Sequence, residues 1–274
     1  MKKYLFFLLF CFSLLVVGQG KVGVCMSLDK APVLKKAGGE YVEISISSFL
    51  MPEQSDSNFA PNLAAARECQ LPILSGNGFF PGDITIVGPN AEFERAIRYT
   101  QKAMERASQI GLKVAVLGSS RARSIPEGFP REEAREQFVR LCRSIAEIAQ
   151  QYGVVVVLEP LRKEETNFIN TVWEGLSVVR EVNHPNFRLL ADLYHMACED
   201  ESPKSIRKAG KYLQHVHIAE KANRTPPASD GDDFTPYFKA LRKIHYKGNI
   251  SIECGWSDFE AQVGPAVEYI HTNR

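Results

Sequence analysis

The chain has no paired-thiol motif, little histidine and no excess of charge of one sign. Its 274 residues include six cysteines and six histidines, and no two cysteines are spaced as C-x-x-C. That absence argues against a thiolate zinc site. Lys and Arg total 33 against 32 for Asp and Glu. A near-neutral chain has no electrostatic footprint for nucleic acid or anionic lipid, so neither is expected as a partner.

Long apolar runs are missing after the first twenty residues. Residues 1–20 begin Met-Lys-Lys, continue with an apolar run from Tyr4 to Val17 and end in small or polar residues. A run of about fourteen apolar residues is too short to span a bilayer. Residues 1–20 therefore predict a cleaved signal peptide and an exported, periplasmic protein without membrane attachment after cleavage. A retained N-terminal anchor is the alternative.

No linker rich in proline, glycine or serine divides the rest of the chain. Residues 21–274 have the usual size of one (β/α)₈ barrel, about 250 residues, so a single domain is predicted there. Five cysteines would remain after cleavage, and an odd number argues against a complete disulfide framework. Free thiols are expected, and pairing of Cys25 with Cys254 is the alternative.

Eight short apolar runs alternate with longer amphipathic stretches, which is typical of repeated strand–helix units. Between these runs, residues 92–110 and 131–152 carry apolar side chains at helical spacing, with Gly111 and Gly153 placed as helix stops. Eight such units predict an α/β fold, a single closed (β/α)₈ TIM barrel. The runs are 22–27, 41–47, 71–76, 113–119, 154–160, 187–193, 213–219 and 249–255.

The last four apolar runs each carry a residue type that binds metals at or near their end. In a barrel, the carboxyl ends of parallel strands converge on one mouth, and alternate side chains of a strand face the interior. All four side chains can therefore point inward at that mouth. They are separated by 33, 25 and 36 residues, and they are Glu159, Asp192, His217 and Glu253.

Three carboxylates and one imidazole suit a single divalent ion, Mn²⁺, Co²⁺ or Mg²⁺, better than a thiolate-rich structural zinc site. Clustered inward carboxylates repel one another unless a cation or protons compensate, which favours a metal site over separate ion pairs. His215 lies one layer deeper on the same face and is expected to be a hydrogen-bonded core residue. Glu43, on the second strand, is expected to be a salt-bridge partner or hydrogen-bond acceptor inside the barrel.

Six segments carry a family resemblance. They are SGNGFFPGDITIVGP (75–89), GSSRARSIPEGFPREEAREQF (118–138), LEPLRKEETNFINT (158–171), LLADLYHM (189–196), HVHIAEKANRTPP (215–227) and ISIECGW (250–256). Through them the chain resembles the xylose isomerase-like TIM-barrel superfamily, in the branch of sugar phosphate isomerases and epimerases related to ketose 3-epimerases.

The resemblance implies that the four strand-end residues bind one divalent metal ion. It also implies that Glu165, His195 and Arg224 hold substrate oxygens, although Arg224 follows the seventh-strand ligand by a slightly longer step than is usual in ketose 3-epimerases. A surface position is the alternative for His195. Glu159 and Glu253 would be an acid/base pair that removes a proton beside a ketone and returns one to the opposite face, through a cis-enediolate.

The resulting hypothesis is a metal-dependent isomerase or epimerase with a small sugar as its partner. Predicted export favours a non-phosphorylated keto sugar or keto-glycoside, because sugar phosphates are chiefly cytosolic. A lyase or hydratase acting on a 3-keto-glycoside through the same enediolate is one alternative, and a noncatalytic exported sugar-binding module is another. A DNA-repair endonuclease of this fold would need basic patches and more histidine ligands. A homo-oligomer is left open.

Several mouth-loop residues have a structural and a functional interpretation. Phe79, Phe80 and Trp256 could stack on a sugar, but loop aromatics more often cap a core, and the cap is expected. Arg121 and Arg123 could contact an anionic substrate, but a solvated charged loop is expected.

We predict that the mature chain begins near residues 19–21 and fractionates away from the cytosol, because the charged start and short apolar run of residues 1–20 are typical of an export signal. Intact-mass analysis of the native protein from separated cell fractions measures this. A cytosolic chain that still begins at Met1 contradicts it.

Overall fold

The structure is a computed structural model, and it describes residues 20–274. The predicted signal peptide, apart from Gly20, lies outside the described residues, so its cleavage stays a prediction. In the part of the chain that is described, no helix is both long enough and apolar enough to cross a membrane.

Eight parallel strands form a closed barrel in sequence order, which confirms the predicted fold. The first strand pairs with the last, with Val24 opposite Ile252, so the sheet has no free edge. Every strand lies within its predicted run, except that the third extends one residue further to Asn77. The strands are β1 (Val22–Cys25), β2 (Tyr41–Ser45), β3 (Ile73–Asn77), β4 (Val114–Leu117), β5 (Val155–Leu158), β6 (Phe187–Asp192), β7 (Leu213–Ile218) and β8 (Asn249–Ile252).

Helices surround the barrel. The two helices predicted from apolar spacing are confirmed as α3 (Phe93–Gln109) and α5 (Arg131–Gln151). Each ends close to a glycine with positive φ, Gly111 at 78° and Gly153 at 67°. Short turns of 3₁₀ helix cover 28–30 and 210–212, and a π turn covers 46–50. In residues 20–274 the helices are α1 (Ala31–Lys36), α2 (Asp56–Glu68), α3 (Phe93–Gln109), α4 (Ser120–Arg123), α5 (Arg131–Gln151), α6 (Val172–Val182), α7 (Leu193–Cys198), α8 (Lys204–Ala209), α9 (Thr235–Lys243) and α10 (Phe259–Asn273).

The barrel interior has two chemically different halves. Under β4, β5 and β6 it is filled by a small apolar cluster of Val114, Val116, Val157 and Leu190. Under β2, β3, β7 and β8 it holds polar side chains that are completely buried. Buried polar groups need hydrogen-bond partners, so this half must be satisfied internally. Its members are Glu43, Ser75, His215, His217 and Ser251.

The cysteines of the described chain are all free thiols, as expected from their odd number. Cys25 and Cys254, whose pairing was the alternative, are among them. The barrel is therefore closed by strand pairing and core packing, and disulfide bonds play no part in residues 20–274.

Candidate metal centre and reaction pocket

The four residues predicted from strand ends come together at the barrel mouth. One ligand atom from each lies within 4.8 Å of the others, which is close enough for all four to hold a single ion. Three are buried and the fourth, Glu253, has a side chain that is 20% exposed. The four residues are Glu159, Asp192, His217 and Glu253.

Backbone pairing holds each carboxylate at the mouth. The Glu159 amide still donates to the Leu117 carbonyl at 3.1 Å, and the Glu253 amide donates to the Ile218 carbonyl at 3.2 Å. Asp192 is the last residue of β6 and the N-cap of α7, where its Oδ1 accepts a bond from the Tyr194 amide at 2.8 Å. That cap fixes the carboxylate and leaves Oδ2 on the side of the site.

His217 lies between the two glutamates. Its Nδ1 is 3.1 Å from Glu159 Oε1 and 3.1 Å from Glu253 Oε2, while its Nε2 is 2.9 Å from Glu43 Oε1. Burial alone would lower the pKa of His217, but Glu43 and Glu253 outweigh burial and raise this pKa well above its usual value. Without a metal ion, the imidazolium therefore supplies positive charge to the cluster.

Arg224 supplies the other positive charge. Its Nη2 lies 2.5 Å from Glu253 Oε2 and 3.4 Å from Asp192 Oδ2, and its guanidinium stacks 4.6 Å above the Tyr194 ring. Burial would lower the pKa of Arg224, but Glu253 and Asp192 raise it. Arg224, to which the family resemblance assigns substrate binding, therefore lies beside the candidate metal ligands.

The two glutamates that flank His217 differ in acidity. Burial and the nearby charge of Glu253 raise the pKa of Glu159. Burial also opposes ionisation of Glu253, but His217 and then Arg224 outweigh it and lower the pKa of Glu253 to about 2. Two carboxyl groups with pKa values moved in opposite directions are a common arrangement in acid/base sites.

The predicted role of Glu43 as an internal hydrogen-bond acceptor is confirmed. This fully buried carboxylate accepts bonds from Ser75 Oγ at 2.6 Å, Ser251 Oγ at 2.5 Å, His215 Nε2 at 2.9 Å and His217 Nε2 at 2.9 Å. Burial opposes its ionisation, but His217 and His215 lower the pKa of Glu43 well below its usual value. His215 is a buried core residue bonded to Glu43, as predicted.

The hydrogen bonds of His217 show whether these residues fit a metal ion. A metal-binding histidine usually donates its second ring N–H to a carboxylate, which fixes the ring and points the other nitrogen at the ion. His217 has this arrangement: Nε2 faces Glu43 and Nδ1 faces the mouth carboxylates. Cys25, Glu43 and His217 form a second close group, but it shares His217, and its carboxylate already accepts four hydrogen bonds. The mouth group is therefore the better fit.

Gly118 leaves room for the Glu159 side chain. A Cβ atom at position 118 would lie 2.4 Å from Glu159 Oε2, closer than non-bonded atoms approach. Any larger residue here would push the carboxylate away from His217.

A pocket of about 300 Å³ opens directly above the centre, and Glu165, His195 and Arg224 line it. His195 is only 2% exposed, so the alternative of a surface histidine is wrong. Its Nδ1 accepts a bond from the Arg162 amide at 3.4 Å, which places the proton of the neutral ring on Nε2. Within residues 20–274 that Nε2 has no hydrogen-bond partner and lies 3.5 Å from Asp192 Oδ2. It is free to donate to a bound oxygen.

Arg123 corrects one sequence expectation. It was expected on a solvated loop, but it is completely buried, and its Nη1 donates to the Glu159 carbonyl at 2.8 Å. The short helix α4 turns the side chain inward, where the guanidinium also donates to the Leu117 and Ile169 carbonyls. Burial lowers the pKa of Arg123 to about 10. Arg121 is exposed at the rim of the pocket, as expected.

The loop aromatics act mainly as caps. Phe79 is completely buried and Phe80 is 4% exposed, with their ring centroids 4.7 Å apart. Trp256 packs edge-on against Phe259 at 5.0 Å. Phe80 also lines the pocket, so one of the three contributes to its wall.

Asn77 is a site residue that sequence analysis missed. Its Nδ2 donates to Glu253 Oε1 at 2.5 Å, and it lines the pocket from the end of β3. Its position at the mouth end of a strand could have indicated a site residue. A single asparagine between two glycines is, however, more typical of a turn.

The fold and site together define a (β/α)₈ barrel with a carboxylate–imidazole centre at the mouth. Residues 32–272 match the family model described as xylose isomerase-like TIM barrel, so the chain belongs to the xylose isomerase-like TIM-barrel family.

Known relatives include L-ribulose 3-epimerase from Methylomonas, which is 30% identical over 223 residues that cover 80% of this chain and 74% of the relative. The 3-dehydro-D-guloside 4-epimerase from Escherichia coli is 27% identical, with coverage of 82% and 86%. Among solved structures, the D-allulose 3-epimerase from Methylomonas in complex with D-allulose superposes with a TM-score of 0.80 at 25% identity, over 93% of this chain and 98% of the other.

We predict that Glu43→Gln weakens metal binding by about tenfold to a hundredfold, because it removes the charge that orients His217. Calorimetric titration of purified protein with Mn²⁺ measures the dissociation constant. Ser75→Ala is the matched control, since it removes a bond to the same carboxylate and none to His217. Equal affinity in wild type and Glu43→Gln would show that Glu43 is only a core acceptor.

We also predict that metal binding releases a proton. Nδ1 of His217 can bind an ion only when it is deprotonated, and the pKa of His217 in the metal-free protein is raised well above its usual value. Affinity for Mn²⁺ should therefore increase with pH, by about tenfold per pH unit for one proton released, from the ordinary histidine pKa of about 6.5 up to the raised value. Titrations across this range measure the slope, and a flat profile contradicts the prediction.

Proposed function

We propose that this protein is an epimerase that requires one divalent metal ion, Mn²⁺, Co²⁺ or Mg²⁺, and acts on a non-phosphorylated keto sugar or keto-glycoside. The observation that carries the proposal is the placement of two glutamates on either side of His217, at the floor of a pocket that His195 also lines, with its Nε2 free to donate among the described residues. The relatives support it, because they are epimerases of L-ribulose and of 3-dehydro-D-guloside.

In this proposal Glu159 and Glu253 exchange protons with opposite faces of one substrate carbon. Glu159 has an oxygen suited to that work, because among the described residues no donor contacts its Oε2, and its pKa is raised. Glu253 is held from two sides by Asn77 and Arg224, so its carboxylate has a fixed position. A two-base arrangement of this kind inverts a stereocentre, whereas a single base would return the proton to the same face.

The remaining pocket residues would bind and orient the sugar. His195 Nε2 would donate to a substrate oxygen, and Glu165 and Arg224, whose Oε1 and Nη1 lie 3.7 Å apart, would hold hydroxyl groups. A divalent ion held by Glu159, Asp192, His217 and Glu253 would supply Lewis-acid polarisation of the ketone when it is bound. The N–H groups of His195 and Arg224 would stabilise the negative charge that develops on the substrate as the proton leaves.

The cellular location and the type of reaction complete the proposal. We propose an exported enzyme from the pattern of residues 1–20, and export favours a non-phosphorylated substrate. The alternative of elimination from a 3-keto-glycoside has no support from the relatives, which are epimerases.

The test is Glu→Gln at each proposed base. Glu159→Gln and Glu253→Gln keep the approximate shape and an oxygen ligand but remove the proton acceptor, so each should lower turnover by about 10² to 10⁴-fold and change substrate binding much less. Measurement of α-proton exchange in D₂O by NMR, with a panel of keto sugars and keto-glycosides, separates the two half-reactions. A single variant can still exchange the proton on the intact face while failing to invert the carbon.

Glu164→Gln is the matched control, because Glu164 is exposed and lies on the loop after β5, five residues from Glu159, without lining the pocket. Near wild-type turnover in both base variants would overturn the two-base mechanism. If metal-loaded wild-type protein binds these sugars but exchanges no α-proton with any of them, the result rejects the enzyme and supports the alternative of a noncatalytic sugar-binding module.

A further inference from the structure

A second cavity, of about 510 Å³, opens beside the reaction pocket. It lies over the mouth ends of β1, β2 and β3 and against α2. We call it the β1–β3 cavity. Its lining residues are Cys25, Met26, Ser27, Leu28, Glu43, Ile44, Ser45, Ser48, Phe49, Asn62, Ala65 and Asn77.

The β1–β3 cavity adjoins the reacting centre. Asn77 lines both spaces and donates to the proposed base Glu253. Cys25 and Glu43 also line the cavity, and their ligand atoms lie within 4.8 Å of His217 and of each other. A group bound in the cavity would therefore be attached to, or in contact with, the sugar that reacts above the centre.

The lining specifies the chemistry of the occupant. Most of the lining surface is apolar, and three serine hydroxyls and the amides of Asn62 and Asn77 supply the polar contacts. None of the described residues that line the cavity is a lysine or arginine, and its one carboxylate, Glu43, is completely buried and already accepts four hydrogen bonds. A phosphate or carboxylate group would find no counter-charge here, whereas a neutral ring could bury its faces against Met26, Leu28 and Phe49.

We propose that the β1–β3 cavity binds the aglycone of a keto-glycoside, a neutral ring attached to the reacting sugar. This inference rests on the proposed epimerase function and narrows its substrate class. A free keto sugar held in the reaction pocket would leave the larger of the two cavities without a role, and a glycoside would use both. Apolar cavities with a few polar groups, in the range of about 300–1,000 Å³, are typical of small-molecule sites.

Two substrates that differ only in the aglycone test this inference. Methyl 3-keto-glucoside is too short to fill the cavity, and phenyl 3-keto-glucoside places a ring in it. For wild-type protein we expect kcat/KM for α-proton exchange to favour the phenyl glycoside by about tenfold, equivalent to about 1.4 kcal/mol. Ala65→Phe, which adds a ring to the cavity wall, should bring that ratio close to one while leaving the methyl glycoside within about twofold of wild type.

Ala64→Phe is the matched control, because Ala64 is an exposed neighbour on α2 that does not line the cavity, and it should keep the wild-type ratio. Equal kcat/KM for the two glycosides in wild type, or an unchanged ratio in Ala65→Phe, would overturn the aglycone site. Exchange with a free keto sugar but with neither glycoside would also overturn it, whereas absence of exchange with every sugar of the panel would instead reject the epimerase function. In that case the dissociation constants of the two glycosides, measured by calorimetry, still decide the inference: a phenyl preference lost in Ala65→Phe supports it, and equal constants reject it.

Discussion

The buried carboxylate of Glu43 is the constraint on which the rest of the centre depends. A charge with no exposure to solvent is stable only when its oxygens are fully hydrogen-bonded, and breaking such an arrangement on one side costs about 3–5 kcal/mol. Glu43 meets this requirement with two serines and two histidines. Because one of its partners is Nε2 of His217, the opposite nitrogen of that ring must face the mouth. Glu43, deeper in the barrel, therefore fixes the orientation of the His217 ring in the candidate metal centre.

The same constraint explains why the barrel interior is divided. Side chains from β4, β5 and β6 fill their half with aliphatic carbon, which needs no partners. The other half contains a layer of hydrogen-bonded groups that ends in the Tyr41 hydroxyl, 2.5 Å from Ser251 Oγ. The apolar half packs rigidly against the strand that leads to Glu159, and the polar half orients His217. Both supports meet at the mouth, where precise placement matters for acid/base chemistry.

The sequence predicted the four strand-end residues because two strong regularities act on them. Strand–helix units repeat at a nearly constant length, and strand alternation decides which side chains face inward. Arg123 and His195 lie in the short helices α4 and α7, where neither regularity applies, and Asn77 lies one residue beyond the predicted third run. Burial of Arg123 depends on carbonyls from three separate segments, those of Leu117, Glu159 and Ile169. No local pattern in the sequence reveals such a contact.

Charge balance links the centre to substrate binding. Three mouth carboxylates and Glu43 lie close together, and His217 and Arg224 compensate them in the metal-free protein. The backbone of Arg224 has a positive φ of 51°, and its carbonyl accepts a bond from the Gly255 amide at 2.8 Å, so its side chain is held at the mouth. A divalent ion would bring the compensating charge itself. His217 would then give up its proton, while Arg224 would keep Glu253 in place through Nη2 and leave Nη1, 3.7 Å from Glu165 Oε1, available to a sugar oxygen. The same guanidinium would thus serve both the proposed base and the substrate.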